Sequence, residues 1–279
     1  MKRKWKIITA AVVMLMLTAV STVGVSASSD DVSVYVRGER FEREKCVLTD
    51  SVTRVPFRAF CGEMTNGGAV VSWDGETKTA IAEWQGMTVT ARVGDSYIIA
   101  NGRYLWCGVP NYISDGRMMT AVRPIAMAFG ADVDWNGETR RVSVSEGSEP
   151  IVSGEEFYDR DELFWLSRII SAESRGEPLL GKLAVGSVVY NRVDTDEYPD
   201  TVYDVIFDMK NGVQFTPAYT GSIYNDPTEE SVVAAKICME GYRCRYDVIY
   251  FCTTAIRYTS WAGRNRPYVM TIGDHAFFA

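Results

Sequence analysis

Histidine occurs once in the 279 residues, as His275. Sites built on two or three imidazoles are therefore excluded, and most catalytic zinc centres with them. No block of lysine and arginine interrupts an acidic chain of formal charge −7. Phosphate backbones are held by clustered cations, so nucleic acid is excluded as a partner. The six cysteines contain no C-x-x-C pair, which argues against a thiolate metal cluster. Beyond residue 27 no stretch approaches the roughly 20 apolar residues that a bilayer span requires. No metal or organic cofactor is implied.

What is present begins at the N-terminus. Lys2, Arg3, Lys4 and Lys6 precede the apolar run Ile7–Val20, and Val25-Ser26-Ala27 supplies a small-x-small stop. Residues 1–27 read as a secretory signal peptide, with an uncleaved anchor as the alternative. Losing them removes four cations and no anion, taking the net charge from −7 to −11. The expected location is secreted, in the cell envelope. Export would let the cysteines pair. Cys46, Cys61 and Cys107 lie in the first half and Cys238, Cys244 and Cys252 in the second. No connectivity follows from the sequence, and buried reduced thiols are the other reading.

Residues 31–146 read as strands. Val32, Val34 and Val36 alternate with Ser33 and Tyr35, and Val89, Ala91 and Val93 repeat the pattern. Asp74-Gly75 and Asn136-Gly137 each follow a tryptophan, and such dipeptides predict two-residue type I′ hairpin turns. These hairpins belong to a duplication. Val55-Pro56-Phe57-Arg58-Ala59-Phe60 and Val71-Ser72-Trp73-Asp74-Gly75-Glu76-Thr77 recur as Ala121-Val122-Arg123-Pro124-Ile125-Ala126 and Val133-Asp134-Trp135-Asn136-Gly137-Glu138-Thr139. The arginine-to-tryptophan spacing is 15 in the first copy and 12 in the second, a difference assigned to a loop at Thr65-Asn66-Gly67-Gly68. Each copy predicts strand, short helix and hairpin, the two sharing one core. Trp73, Trp84, Trp106 and Trp135 are expected in core or hairpin packing, with stacking on sugar rings as the alternative. The signature Arg-…-Gly-Ala-x-Val-x-Trp-(Asp/Asn)-Gly-x-Thr resembles the copper amine oxidase N-terminal-like stalk domain of secreted Gram-positive proteins. The resemblance implies a spacer or a module adhering to wall polymers. It implies no copper, since this stretch has no histidine.

Residues 147–160 read as a short polar linker, and from there to residue 279 the periodicity is helical. Leu163, Leu166, Ile169 and Ile170 mark one helix, and Leu179 to Tyr190 is apolar almost all round, as in a buried helix. Thr228 is an expected N-cap and Gly241 the stop of a third helix. Strands are expected at 248–252 and 268–278. The class is α+β, with a helix-rich C-terminal domain carrying a small β element.

Chemistry has few candidates here. A nucleophile–histidine mechanism would have to use His275 with Cys238 or Cys252, neither at a helix N-terminus, where a thiol is activated. Carboxylates remain. Glu173 closes the first helix, ahead of Gly176 and Pro178, and shares a face with Glu177 if helical geometry persists. Spacing leaves two readings: a solvated Glu–Arg pair at a helix end, which it favours, or a desolvated general acid. The stretch Glu173-Ser174-Arg175-Gly176-Glu177-Pro178, with Gly181-x-x-Ala184-Val185-Gly186-x-Val188-Val189-x-Asn191-Arg192-Val193, resembles the SleB-type cell wall hydrolases. Tyr198-Pro199-Asp200-Thr201-Val202, Gly212-Val213-Gln214-Phe215 and Arg266-Pro267-…-Thr271-Ile272-Gly273-Asp274-His275-Ala276-Phe277 continue the likeness over residues 161–279.

That resemblance implies a lysozyme-like fold and a peptidoglycan lytic transglycosylase whose single catalytic glutamate is Glu173. Three departures bear on the cleft wall: Ser174 for Ala, Cys252-Thr253-Thr254 for Asn-Pro after Tyr250-Phe251, and Glu240-Gly241 for Asn-Gly. Gln214, Phe215, Tyr250 and Trp261 are candidates for sugar contact, though each is equally a candidate for the core. Supporting roles fall to Glu177, holding Arg175 or an amide at the turn, to Asn191 as a helix-end cap, and to His275 as a structural imidazole. The partner implied is the peptidoglycan glycan strand, in vegetative wall or spore cortex. The alternatives are a hydrolytic muramidase or glucosaminidase on the same fold and a non-catalytic wall-binding protein.

Overall fold

The computed structural model describes residues 30–279 apart from Ser148 and Asn211. The signal peptide expected at residues 1–27 lies outside the described residues. None of the described helices is long and apolar enough to cross a membrane. The architecture is α+β, with strands dominating up to Val144 and helices after Ser153.

The N-terminal part is organised by its duplication. Strand Val52–Pro56 of the first copy pairs antiparallel with Arg117–Ala121 of the second, placing Val55 opposite Thr120 in a five-stranded sheet. Each strand runs directly into a short helix, Phe57–Met64 or Val122–Ala128. Apolar residues at helical spacing turn Phe57, Phe60 and Cys61, or Val122, Ile125 and Ala126, into the common core. A hairpin follows in both copies, Val70–Asp74 with Thr79–Trp84 and Val133–Asn136 with Arg141–Val144.

The hairpin turns differ from the expected type I′ pairs. Asp74 pairs with Thr79 and Asn136 with Arg141, so each loop holds four residues. Positive φ falls on Lys78 (55°) and Arg140 (51°), not on Gly75 or Gly137. The cause is a side-chain acceptor. Asp74 Oδ1 takes the amide N–H of Glu76 and Thr77, and Asn136 Oδ1 takes that of Thr139. These Asx turns satisfy the loop amides without the two left-handed residues of a tighter turn.

In the C-terminal part, helix Arg160–Ser174 is capped by Asp159, whose Oδ1 accepts from Glu162 N at 2.8 Å. It packs on helices Leu179–Val193 and Glu229–Met239. Residues Gly181 to Arg192 are buried without a break, as the all-round apolar run requires. The three helices meet at Gly186, where an added Cβ would lie 2.7 Å from Cys238 Sγ and 3.0 Å from Ile170 Cδ1. The N-cap at Thr228 is present, its side chain accepting from Ser231 N. Gly241 takes the left-handed conformation, φ 91°, just beyond that helix. The strand expected over 268–278 is instead a hairpin, Tyr268–Ile272 with His275–Phe278, because Gly273 turns the chain at φ 53°. Tyr250–Thr253 pairs on the other side of His275–Phe278, completing a three-stranded sheet.

Residues 151–158 are docked on both parts. Ser153 caps a short helix, Gly154–Phe157, while Gly154 N donates to Asn101 O at 2.8 Å and Asn101 Nδ2 to Ile151 O at 2.8 Å. Arg103, on strand Arg103–Trp106, forms an ion pair with Glu240 at 2.7 Å, the side chains being 8% and 5% exposed. Tyr158 OH donates to Glu240 Oε1 at 2.7 Å and accepts from Tyr104 N at 2.9 Å. Trp106 meets Tyr242 with ring centroids 5.1 Å apart. The N-terminal part is thus fixed against the end of helix Glu229–Met239.

Candidate active site

Glu173 occupies the last turn of helix Arg160–Ser174 and is half-buried. Burial raises its carboxyl from the ordinary carboxylate range to about 7, and only the nearby Arg192 guanidinium opposes this. No hydrogen bond and no second carboxylate contributes among the described residues.

Glu177 does not share the Glu173 face. The helix ends at Ser174 because Pro178 cannot continue it. Both carboxylate oxygens of Glu177 accept from Asp274 N, at 3.3 and 3.1 Å, and Oε1 lies 3.9 Å from His275 Nδ1. The expected amide at a turn is therefore the partner of Glu177. Arg175 instead donates to Asp226 O at 2.9 Å.

Arg192 is the cation of the site. It closes the buried helix at 4% exposure, and its Nε donates to Ile249 O at 2.9 Å. Its Nη1 is buried without a hydrogen-bond partner. The guanidinium faces the rings of Tyr198 and Phe215 at 5.1 Å each and that of Tyr250 at 5.5 Å. Tyr198 OH donates to Tyr250 OH at 2.8 Å, and Arg266 Nη2 donates to the same oxygen at 2.9 Å. Tyr250 and Trp261 have ring centroids 5.5 Å apart, with Arg266 5.4 Å from the Trp261 ring. Glu173 therefore stands beside a continuous basic and aromatic cluster.

Of the expected sugar contacts, Tyr250 and Trp261 belong to that cluster, and Trp261 is 58% exposed with a ring open to solvent. Phe215 is 1% exposed. Its ring is enclosed by core neighbours, including Phe251 at 6.4 Å, which corrects the expectation of stacking on a pyranose. Gln214 is half-buried and donates to Gly212 O at 3.1 Å. Asn191 is not a cap, since the helix runs to Val193 with Asp194 closing it. Its Nδ2 donates to Arg245 O and Val248 O at 2.7 and 2.8 Å, fixing the segment ahead of strand Tyr250–Thr253. His275 is buried on that sheet, 5.3 Å from the Phe251 ring, and burial holds its imidazole below the usual range. Arg192, Tyr198 and Arg266 were given no role by sequence reasoning. The available signals were their places in the SleB-like motifs and, for Arg192, a cation at the end of a largely apolar helix.

Two family models match the chain. Residues 176–278 match Cell Wall Hydrolase, and residues 35–144 match the Copper amine oxidase N-terminal domain. The chain carries a cell wall hydrolase domain behind a copper amine oxidase N-terminal domain. The hydrolase match begins three residues past Glu173. A spore cortex-lytic enzyme of Bacillus cereus is 32% identical over 120 residues, 43% of this chain and 45% of that protein. One of Oceanobacillus iheyensis is 28% identical over 131 residues, 47% and 46% of the two chains. The chain thus spans about half the length of these relatives. The crystallised catalytic domain of the Bacillus cereus SleB protein is 32% identical with a TM-score of 0.39, covering 44% of this chain and 92% of that one.

The copper of the N-terminal family name lacks the histidine ligands it would need here. Residues 35–144 contain no histidine, and the thiols of Cys46 and Cys107 are buried, which pushes each up to about 12. Among the described residues no three His, Cys, Asp or Glu side chains gather as metal ligands. In the hydrolase domain, Cys238 is likewise buried and pushed up to about 12, which disables it as a nucleophile.

Proposed function

We propose that the protein is a peptidoglycan lytic transglycosylase, cleaving MurNAc–GlcNAc linkages with Glu173 as both acid and base. The carrying observation is a carboxyl that holds its proton to about pH 7 with no second carboxylate acting on it. A general acid needs that proton at neutral pH, whereas a two-carboxylate glycosidase needs a neighbouring nucleophile or base. Glu173 gives its proton to the glycosidic oxygen as the bond to the muramyl anomeric carbon breaks. Arg192 then stabilises the carboxylate left behind. The muramyl 6-hydroxyl bonds to the anomeric carbon and its proton passes to Glu173, so an anhydro end forms and no water is consumed. Trp261 and Tyr250 offer aromatic faces to the sugars.

The cell wall hydrolase match and the relatives named as spore cortex-lytic enzymes support peptidoglycan as substrate, and wall or spore cortex as the place of action. The test is digestion of purified sacculi followed by mass spectrometry. Anhydro-muramyl ends are expected, lost in Glu173→Gln. Reducing ends instead would establish a hydrolase, and binding without soluble fragments a non-catalytic wall protein.

A further inference from the structure

The duplication leaves two concave sites made from equivalent positions. In the first copy a hollow of about 440 Å³ is lined by Phe57, Arg58, Val71, Trp73 and Ala80. In the second, one of about 410 Å³ is lined by Val122, Arg123, Val133, Trp135 and Val142. Phe57-Arg58 and Val122-Arg123 open the two short helices. Trp73 pairs across its hairpin with Ala80, and Trp135 with Val142. Both hollows have the size of a small-ligand site.

Each hollow presents a flat ring beside one unneutralised cation. Trp73 and Trp135 are 46% and 44% exposed, unlike Trp84, which packs on Phe129 with centroids 5.7 Å apart. The edge of each indole rests on its own turn: a Cβ on Gly75 or Gly137 would lie 3.8 or 3.6 Å from the ring nitrogen. The open face is therefore held in place before any ligand arrives, which reduces the ordering cost of binding. Arg58 Nη1 donates to Val71 O at 2.8 Å. Neither Arg58 nor Arg123 has a carboxylate partner among the described residues, whereas Arg117, at the rim of the first hollow, is neutralised by Glu44. Two hollows that each carry a guanidinium without a carboxylate partner favour an anion.

We propose that the two hollows bind peptidoglycan strands, each taking one muramyl residue together with its acidic stem peptide. The tryptophan stacks on the pyranose face, and the arginine takes a free carboxylate of the stem peptide attached to that sugar. The inference rests on the reading of peptidoglycan as substrate. Two weak sites on one rigid body act together, because binding at the first raises the effective concentration at the second.

The test uses full-length Glu173→Gln protein and sacculi freed of teichoic acid. Trp73→Ala or Trp135→Ala alone is expected to weaken retention several-fold, and the pair by tenfold or more. Arg58→Gln with Arg123→Gln, both at the surface, is expected to do the same and decides the matter if the tryptophan pair lowers the melting temperature. Amidating the sacculus carboxyls should weaken parental binding to the level of the arginine pair, and neutral chitin should be held less tightly. Undiminished retention of both paired variants, equal binding to chitin, or binding only to walls that keep teichoic acid would overturn the proposal. Fragment release by the parent with Glu173 intact is read separately. Release with undiminished binding by the variants removes this inference alone, and absence of both release and binding removes the substrate reading.

Discussion

Gly273 and Glu177 occupy one space: a Cβ on Gly273 would sit 1.8 Å from Glu177 Oε2. The glycine also lies at φ 53°, so it both turns the His275 hairpin and admits the carboxylate to Asp274 N. Gly273→Ala would strain the turn and drive Glu177 out. A left-handed L-residue costs about 1 kcal/mol, and a lost charged hydrogen bond about 2 kcal/mol. The expected outcome is a destabilisation of about 3 kcal/mol in urea unfolding, with the melting temperature falling accordingly. Equal stability of Gly273→Ala and the parent would show that the contact contributes nothing.

Glu173 makes two pH predictions of defined sign. The acid form is the reactive one, so kcat/KM should be flat below about pH 7 and fall tenfold per unit above it. The folded protein also binds this proton more tightly than the unfolded chain, whose carboxyl has the ordinary value of 4.5. That stability is present at acid pH and is lost as pH rises from about 4.5 through about 7. Glu173→Gln, which never ionises, should therefore be inactive yet more stable than the parent at pH 8, by about 2 kcal/mol. Identical unfolding curves at pH 8 would show the carboxyl to be well solvated.

Arg192 is the brake on that shift. Its charge lowers the Glu173 carboxyl against burial, so Arg192→Met should move the basic limb of the kcat/KM profile to higher pH. It should also slow turnover at neutral pH, because the carboxylate left after protonation of the leaving group loses its cation. Arg192→Lys keeps a charge and should restore the limb toward its parental position. A limb unmoved in Arg192→Met would remove Arg192 from the electrostatics of the site.

The parts of this molecule legible in the sequence are those fixed by local chemistry. Thr228 and Gly241 bound their helix as capping predicts, and the duplicated strand–helix–hairpin unit follows from the repeated residues. The parts that were not legible depend on chain segments meeting. Spacing alone favoured a solvated Glu173, because its burial and the nearby Arg192 charge come from the fold and not from the local sequence. The hairpin type was misread because Asp74 and Asn136 accept loop amides, an alternative that the Asp-Gly and Asn-Gly signals do not distinguish. Arg103 and Glu240 are 137 positions apart, and no periodicity announces their pairing.

That pair yields the last prediction. Arg103 and Glu240 are almost wholly buried between the two parts of the chain, and Tyr158 shares the same carboxylate. Removing one charge leaves the other buried without its partner, so Glu240→Gln or Arg103→Met should each cost about 3–5 kcal/mol. Removing both, with Arg103→Met and Glu240→Leu, should recover much of the loss, since apolar replacement of a buried pair is often near neutral. Because the interface holds residues 151–158 in place, the single variants should also become sensitive to protease in that segment, and the double variant much less so. Additive losses in the double variant, or single variants as resistant as the parent, would mean that the two parts are held together elsewhere, with the stacked Trp106 and Tyr242 the next contact to remove.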